Sequence, residues 1–433
     1  MEIEKIRQNI ILKEGIKYFD WTASGLGFYE IEDEILRIMK TYSNTHSLVS
    51  SNSIKTTDYY ENAVKKMKEI LGVNKNFSLI ACGFGATWAI KRFEEILGLY
   101  IPPATRARLD LQNFKNLPLV IISPFEHHSV EVSLRLGLCE VVRIPLNKNG
   151  LFDFNFFEKV LENARGREII GIFNVASNIS GIINDYQKIY LMIKMYGGIV
   201  ALDGSTYITH GKIDANFYDA LFISAHKFLG GIGAPGILII KNSLFKSNLP
   251  TFAGGGNVNY VSRTSQDFKV QKEELETPGT PAILGVIKAY LALKLWHDVG
   301  DNFIQKTENE LAEHFLNEVS KIKELKIYGN LNVKRAPIFS FNVNGFNPYD
   351  FASILSHNFE IQTRAGCMCA GPYARDLLGL TDDEKISRPG FVRISFNFTQ
   401  ELADIDFLIA AIKEIIKNKE KFNPNYLVKS CCG

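Results

Sequence analysis

The residues Ser224-Ala225-His226-Lys227 close an apolar run at 220–223 and precede glycines at 230, 231, 233 and 236. A lysine at the end of a buried strand is a costly placement, because its ammonium must leave water. Chemistry can justify it. A desolvated lysine gives up its proton readily and can form a Schiff base with an aldehyde. Ser224 and His226 beside it can donate hydrogen bonds to a phosphate. A phosphorylated aldehyde held by lysine is pyridoxal 5'-phosphate. Asp203 supports the same reading. It ends a second apolar run, 198–202, and is followed by Gly204. A carboxylate there can pair with a pyridinium nitrogen and keep the ring an electron sink. Alone, Lys227 reads as a solvated loop lysine and Asp203 as a turn cap. Together with the segments below they point to the cofactor.

Elements must bring these residues to one place. Apolar runs at 117–122, 169–173, 199–203, 220–224 and 236–240 alternate with helical patterns such as 186–195. That alternation predicts an α/β fold with a mostly parallel sheet sandwiched by helices. Ligands of such sheets gather at the carboxyl ends of the strands. Asp203, Lys227 and the stretch 174–178 all follow strand candidates and so can converge. From residue 280 the pattern changes. Long helices are expected at 281–299 and 301–323, strands at 326–328, 338–343 and 391–398, and a last helix at 401–417. This predicts a large cofactor-binding domain over 21–280. A smaller α+β domain follows from 1–20 with 281–422, and then a cysteine-containing tail over 423–433. Residues 100–116 read as a surface insertion.

The bulk properties narrow the class. The chain has 433 residues, 46% hydrophobic and 22% charged, with a net charge of +2. That composition is ordinary for a soluble protein and gives no support to nucleic-acid binding. No apolar run reaches the length of a membrane span. The start, Met1-Glu2-Ile3-Glu4-Lys5, lacks an apolar signal core, so a cytoplasmic location is expected. Six cysteines in this length do not make a disulfide scaffold. Cys82 and Cys139 lie among apolar residues; Cys367 with Cys369, and Cys431 with Cys432, form two tight pairs.

With these motifs assembled, the chain resembles the cysteine desulfurase and selenocysteine lyase family. These are class V, fold type I pyridoxal phosphate enzymes, and the likeness leans towards the subgroup serving Suf-type iron–sulfur assembly. Gly85-Ala86-Thr87 is similar to the family's phosphate-binding turn, though Trp88 stands where glutamate is usual. Glu126-His127-His128 is similar to the Glu-His-His motif, which implies that His127 stacks on the ring and moves protons. Ser177-Asn178-Ile179-Ser180-Gly181 implies that Asn178 contacts the phenolic oxygen. Asp203-Gly204-Ser205-Thr206 carries Thr206 where the family has glutamine, and His210 falls on a histidine of the same run. Ser224, His226 and Lys227 are similar to Ser-x-His-Lys, with serine and histidine on phosphate. Thr280 is implied to reach the phosphate of a second subunit. Ala23 and His46 fall at the implied substrate entrance.

Arg364-Ala365-Gly366-Cys367-Met368-Cys369-Ala370 resembles Arg-x-Gly-x-x-Cys-Ala, which makes Cys369 the thiol that takes sulfur. A thiolate is the reactive form. Cys367 adds a second thiol open to disulfide formation, sulfur sharing or metal capture; no metal site is expected. Arg393 is similar to the arginine that grips the substrate carboxylate, a task suited to its planar fork. The resemblance implies conversion of L-cysteine to L-alanine with a persulfide on Cys369, passed to a sulfur-acceptor protein, by a homodimer. The alternatives are a selenocysteine lyase, another class V enzyme acting on a different amino acid, or a non-catalytic sulfur carrier or scaffold. Cys431 and Cys432 read as a thiol relay, a metal- or thiol-capturing pair, or an incidental end.

Overall fold

The computed structural model describes residues 2–422 except 46, 48, 111–115 and 384–389. A seven-stranded sheet runs in the order Phe77–Cys82, Gly236–Lys241, Ala220–Ser224, Ile199–Asp203, Ile169–Asn174, Leu119–Ile122, Glu140–Arg143. The last five strands of that order pair in parallel. Gly236–Lys241 is antiparallel to both its neighbours. The link from Ser224 to Gly236 carries only a single turn, Ala225–Lys227, and no crossover helix. A parallel return needs a connection of a dozen or more residues, so this strand comes back reversed. Phe77–Cys82 therefore runs in the same direction as the other five, and their carboxyl ends share one edge.

The inner strands are buried along almost their whole length, as expected where helices cover both faces. Ile80, Val120, Ile172 and Phe222 face helices Gly85–Ile96 and His128–Arg135. Leu79, Ile121, Phe173 and Leu202 face the opposite layer, which includes Ile283–Val299. That helix buries Val286, Ala289, Leu293 and Trp296 in the core of the large sheet and lies along Ser51–Ile70. An expected boundary at 281 gave it to the small domain; its packing joins it to the large one. It has apolar residues around its circumference, and such a helix must be buried on several sides.

A four-stranded antiparallel sheet forms the second layer system: Leu325–Ile327, Ile338–Val343, Phe391–Ser395, Arg364–Gly366. Helices Asp301–Val319, Pro348–Phe359 and Leu402–Lys417 pack with it around Phe339, Phe341, Ile394 and Leu408. Glu401 and Asp404 close a reciprocal capping box at the start of the last helix. The amino-terminal segment joins this sheet system through Lys17–Tyr18, which pairs in parallel with Ile361–Gln362. Phe19 is fully buried in the same core. Pro103–Arg106 makes one helical turn with no buried residue, where a surface insertion was expected.

Candidate active site

Two sheet strands that end at the shared edge pass directly into residues that can do chemistry. Ser224 ends its strand and Lys227 follows in the next turn. Helix Gly85–Ile96 begins beside them, and Ala86 N donates to Ser224 Oγ at 3.0 Å. Gly85 has φ +64°, and a Cβ there would stand 2.9 Å from His226 Cε1 and 3.3 Å from Ser224 Oγ. Only glycine permits that approach. The result is a cradle of backbone N–H groups at a helix start with Thr87, Ser224 and His226 around it. This is the donor set of an anion site.

A hydroxyl chain links the cradle to the next loop. Thr87 Oγ1 lies 2.7 Å from Ser129 Oγ, and Ser129 Oγ lies 2.9 Å from His127 Nδ1. His127 also caps helix His128–Arg135 by accepting from Ser129 N. Burial holds the His127 imidazole neutral, with its pKa lowered to about 4 although Asp203 pulls the other way.

Asp203 ends strand Ile199–Asp203 and sits beside Asn174 in register. Its Oδ1 accepts from Ser205 N at 2.9 Å. Lys227 is lowered to about 8, chiefly by burial, with Asp203 opposing the shift. A lysine so poised has an appreciable neutral fraction near physiological pH. Beneath them Glu126 is fully buried. It accepts from Ser123 Oγ at 2.5 Å and from Asn174 N at 2.9 Å, and burial raises its carboxyl to about 8.

The smaller sheet supplies the opposite wall. Arg393 is 3% exposed, donates from Nη2 to Asp20 Oδ1 at 2.7 Å and from Nη1 to Asn178 O at 3.1 Å. Arg364 Nη1 stands 3.9 Å from the other Asp20 oxygen. Asn178 Nδ2 donates to Met368 O at 2.6 Å. Met368 and Cys369 both take left-handed φ, 56° and 55°, an uncommon pair for residues with side chains. His128 pins the turn from both sides: its N donates to Cys369 O at 2.7 Å, and its Nε2 accepts from Gly371 N at 2.8 Å.

These walls enclose one cleft of about 210 Å³. Lys227, Asp203, His127, Asn178, Arg393 and Cys369 all line it. So do Gly85, Ala86, Thr87, Thr206, Ser224, His226 and Ala23. Cys367 does not; it packs against the hydrophobic core. The strained turn therefore separates two thiols only two residues apart. One expectation ends elsewhere. His210 is buried away from the cleft with its Nδ1 2.8 Å from Glu308 Oε2, a structural pair. Thr280 is exposed, accepts from Asn44 Nδ2 at 3.1 Å, and does not line this cleft. His46, Cys431 and Cys432 lie outside the described residues. Trp88 flanks the mouth against Phe84, with ring centroids 5.5 Å apart, without lining the cleft. Sequence reasoning missed Asp20 and Thr22, each a lone polar residue in a short loop, and gave no role to Ser205 and Arg364, which it read only as members of motifs.

The site fits pyridoxal phosphate on its own observations. Asn178 Oδ1 and Ser205 Oγ are buried, line the cleft and have no partner among the described residues. Such atoms are costly without a ligand. An anion cradle, a lysine of lowered pKa and a carboxylate stand around the same space.

Comparison with known proteins agrees. The sequence model of the class-V aminotransferase family matches residues 17–408. A protein of Pyrococcus abyssi named probable cysteine desulfurase is 28% identical over 427 residues, covering 96% of this chain and 98% of that one. A protein of the same name from Halalkalibacterium halodurans is 29% identical, covering 88% and 87%. The apo structure of the cysteine desulfurase from Thermococcus onnurineus superimposes with a TM-score of 0.81 at 25% identity, over 96% of this chain and 99% of that one. The Escherichia coli cysteine desulfurase CsdA gives 0.77 at 23%, over 96% and 99%, a likeness of fold.

Proposed function

Because the chain belongs to the class-V aminotransferase family, we propose that it is a pyridoxal phosphate-dependent cysteine desulfurase, converting L-cysteine to L-alanine and retaining the sulfur. The observation that carries this reading is the meeting of Lys227, Asp203, Arg393 and the Cys369 thiol in one cleft. The names of the similar proteins favour sulfur over selenium as the substrate atom and an enzyme over a carrier or scaffold.

Gly85, Ala86, Thr87, Ser224 and His226 would hold the phosphate, and Lys227 the aldehyde carbon. His127 would lie on the ring, Asp203 at its nitrogen, and Asn178 with Thr206 at its phenolic oxygen. Bound there, the group supplies an acceptor for the electron pair released when the substrate's Cα–H bond breaks. The chain's own residues do the rest. Arg393 holds the substrate carboxylate. Lys227, neutral through burial, takes the α-proton and returns it. The Cys369 thiolate attacks the substrate sulfur. The carbon–sulfur bond breaks, its electron pair stays with carbon, and protonation gives alanine. The new sulfur–sulfur bond leaves a persulfide on Cys369.

A homodimer fits the exposed Thr280, which would then serve the cleft of a second copy. A sulfur-acceptor protein, a role in iron–sulfur assembly and a cytoplasmic location complete the proposal. No helix among the described residues is long and apolar enough to cross a membrane. The test is alanine release from L-cysteine by protein loaded with pyridoxal phosphate, with a thiol acceptor present. Loaded protein that releases none refutes the proposal.

A further inference from the structure

The Arg393 end of the cleft has more hydrogen-bonding capacity than the chain uses. Thr22 is 4% exposed and lines the cleft, yet its Oγ1 has no partner among the described residues. Its position is fixed from both sides. Thr22 N donates to Ser395 Oγ at 2.9 Å. Ser395 and Arg393 lie two apart on strand Phe391–Ser395, so they share a face. Two residues before Thr22, Asp20 accepts from Arg393 at 2.7 Å. The hydroxyl is thereby fastened to the strand that carries the guanidinium. Arg393 Nε is likewise buried and unpartnered.

Charge identifies what completes this corner. Arg364 and Arg393 both line the cleft, and Asp20 is the carboxylate paired with each. Two guanidiniums against one carboxylate leave one positive charge to be balanced. The anion cradle at Gly85 and His226 is a separate set of residues lining the same cleft. A single planar anion with two acceptor oxygens matches the Arg393 corner.

We infer that Thr22 Oγ1 and Arg393 together form the seat of the substrate's α-carboxylate, with Thr22 a specificity-determining residue for α-amino acids. This rests on the reading of the cleft as an amino-acid site. The hydroxyl donates to one carboxylate oxygen while the guanidinium holds the other. A site built to hydrogen-bond its substrate is penalised when the partner is absent, which is how such a hydroxyl discriminates.

The test compares Thr22→Val, which keeps the shape and removes the hydroxyl, with Thr22→Ser, which keeps the hydroxyl. L-Alanine is titrated into protein loaded with pyridoxal phosphate, and the visible spectrum reports the apparent Kd without sulfur chemistry. Thr22→Val should weaken binding by roughly tenfold, the scale of a hydrogen bond to a charged group, and Thr22→Ser should restore it. The KM for L-cysteine should follow. The cofactor-free Thr22→Val protein should melt no lower than wild type, because no hydrogen bond among the described residues is lost. An unchanged Kd in Thr22→Val, or a folded Thr22→Ser that fails to restore binding, overturns the inference. A tenfold loss alongside a wild type that releases no alanine from L-cysteine supports this seat and refutes only the desulfurase activity.

Discussion

Replacing Asp20 by Asn tests whether the Arg393 charge is held by one carboxylate. Arg393 is 3% exposed and cannot lose its proton at any working pH. Its partners are Asp20 Oδ1 at 2.7 Å and Asn178 O at 3.1 Å. Asparagine preserves the shape and one acceptor but removes the charge, and leaves Arg364 facing Arg393 with no anion between them. Breaking a buried pair by neutralising one partner costs about 3–5 kcal/mol. Because asparagine still accepts a hydrogen bond, we take the low end, about 3 kcal/mol. At ~2.1 cal/mol/K per residue, the unfolding entropy of 433 residues is roughly 0.9 kcal/mol/K, so Tm falls by about 3 °C. The assay is thermal unfolding of the cofactor-free chain at neutral pH and low salt. Asp20→Asn should also bind L-alanine differently from wild type, since the carboxylate seat loses its counter-charge. A melting temperature equal to wild type would refute the reasoning, because it would mean that Asp20 does not offset the buried guanidinium.

Three further outcomes are expected. Lys227 must be neutral to take up an aldehyde, so the rate of pyridoxal phosphate uptake should rise with pH through a midpoint near 8, measured by stopped-flow absorbance; Asp203→Asn should move that midpoint lower, since Asp203 favours the ammonium. Glu126 is raised from 4.5 to about 8, so its contribution to stability is present below 4.5 and lost as pH rises through 8; Glu126→Gln should flatten melting temperature against pH in that window, and an unchanged slope counts against a neutral Glu126. Cys369→Ala should abolish alanine release while the loaded protein keeps its colour, whereas Cys367→Ala should stay close to wild type. Mass spectrometry after L-cysteine should find the added sulfur on Cys369, and finding it on Cys367 instead would reverse the assignment.

Much of the site could be read from local order. A strand ending in Asp203-Gly204, another ending in Ser224 before His226-Lys227, and the Gly85-Ala86-Thr87 turn are contiguous strings, and contiguity carries their geometry. The sheet's parallel centre followed from apolar runs alternating with helical patterns. The edge strand Glu140–Arg143 escaped because it is short and carries charge at both ends. His210 was singled out because it falls on a histidine of the family's run; the fold turns it towards Glu308, 98 residues away.

The sequence by itself determined the chemistry on offer: an amine, a thiol, a carboxylate and a glycine turn at a helix start, each set by a short string whose backbone course is local. Tertiary structure decided which of two neighbouring thiols lines the cleft, through two left-handed residues anchored by His128. It also decided what restrains Arg393, since Asp20 lies 373 residues from it along the chain. Pairings at that separation depend on how two sheets pack, and no local periodicity encodes them. The hydroxyls of Thr22 and Ser205 belong to the same class: a serine or threonine carries no signal until the fold buries it with no partner among the described residues.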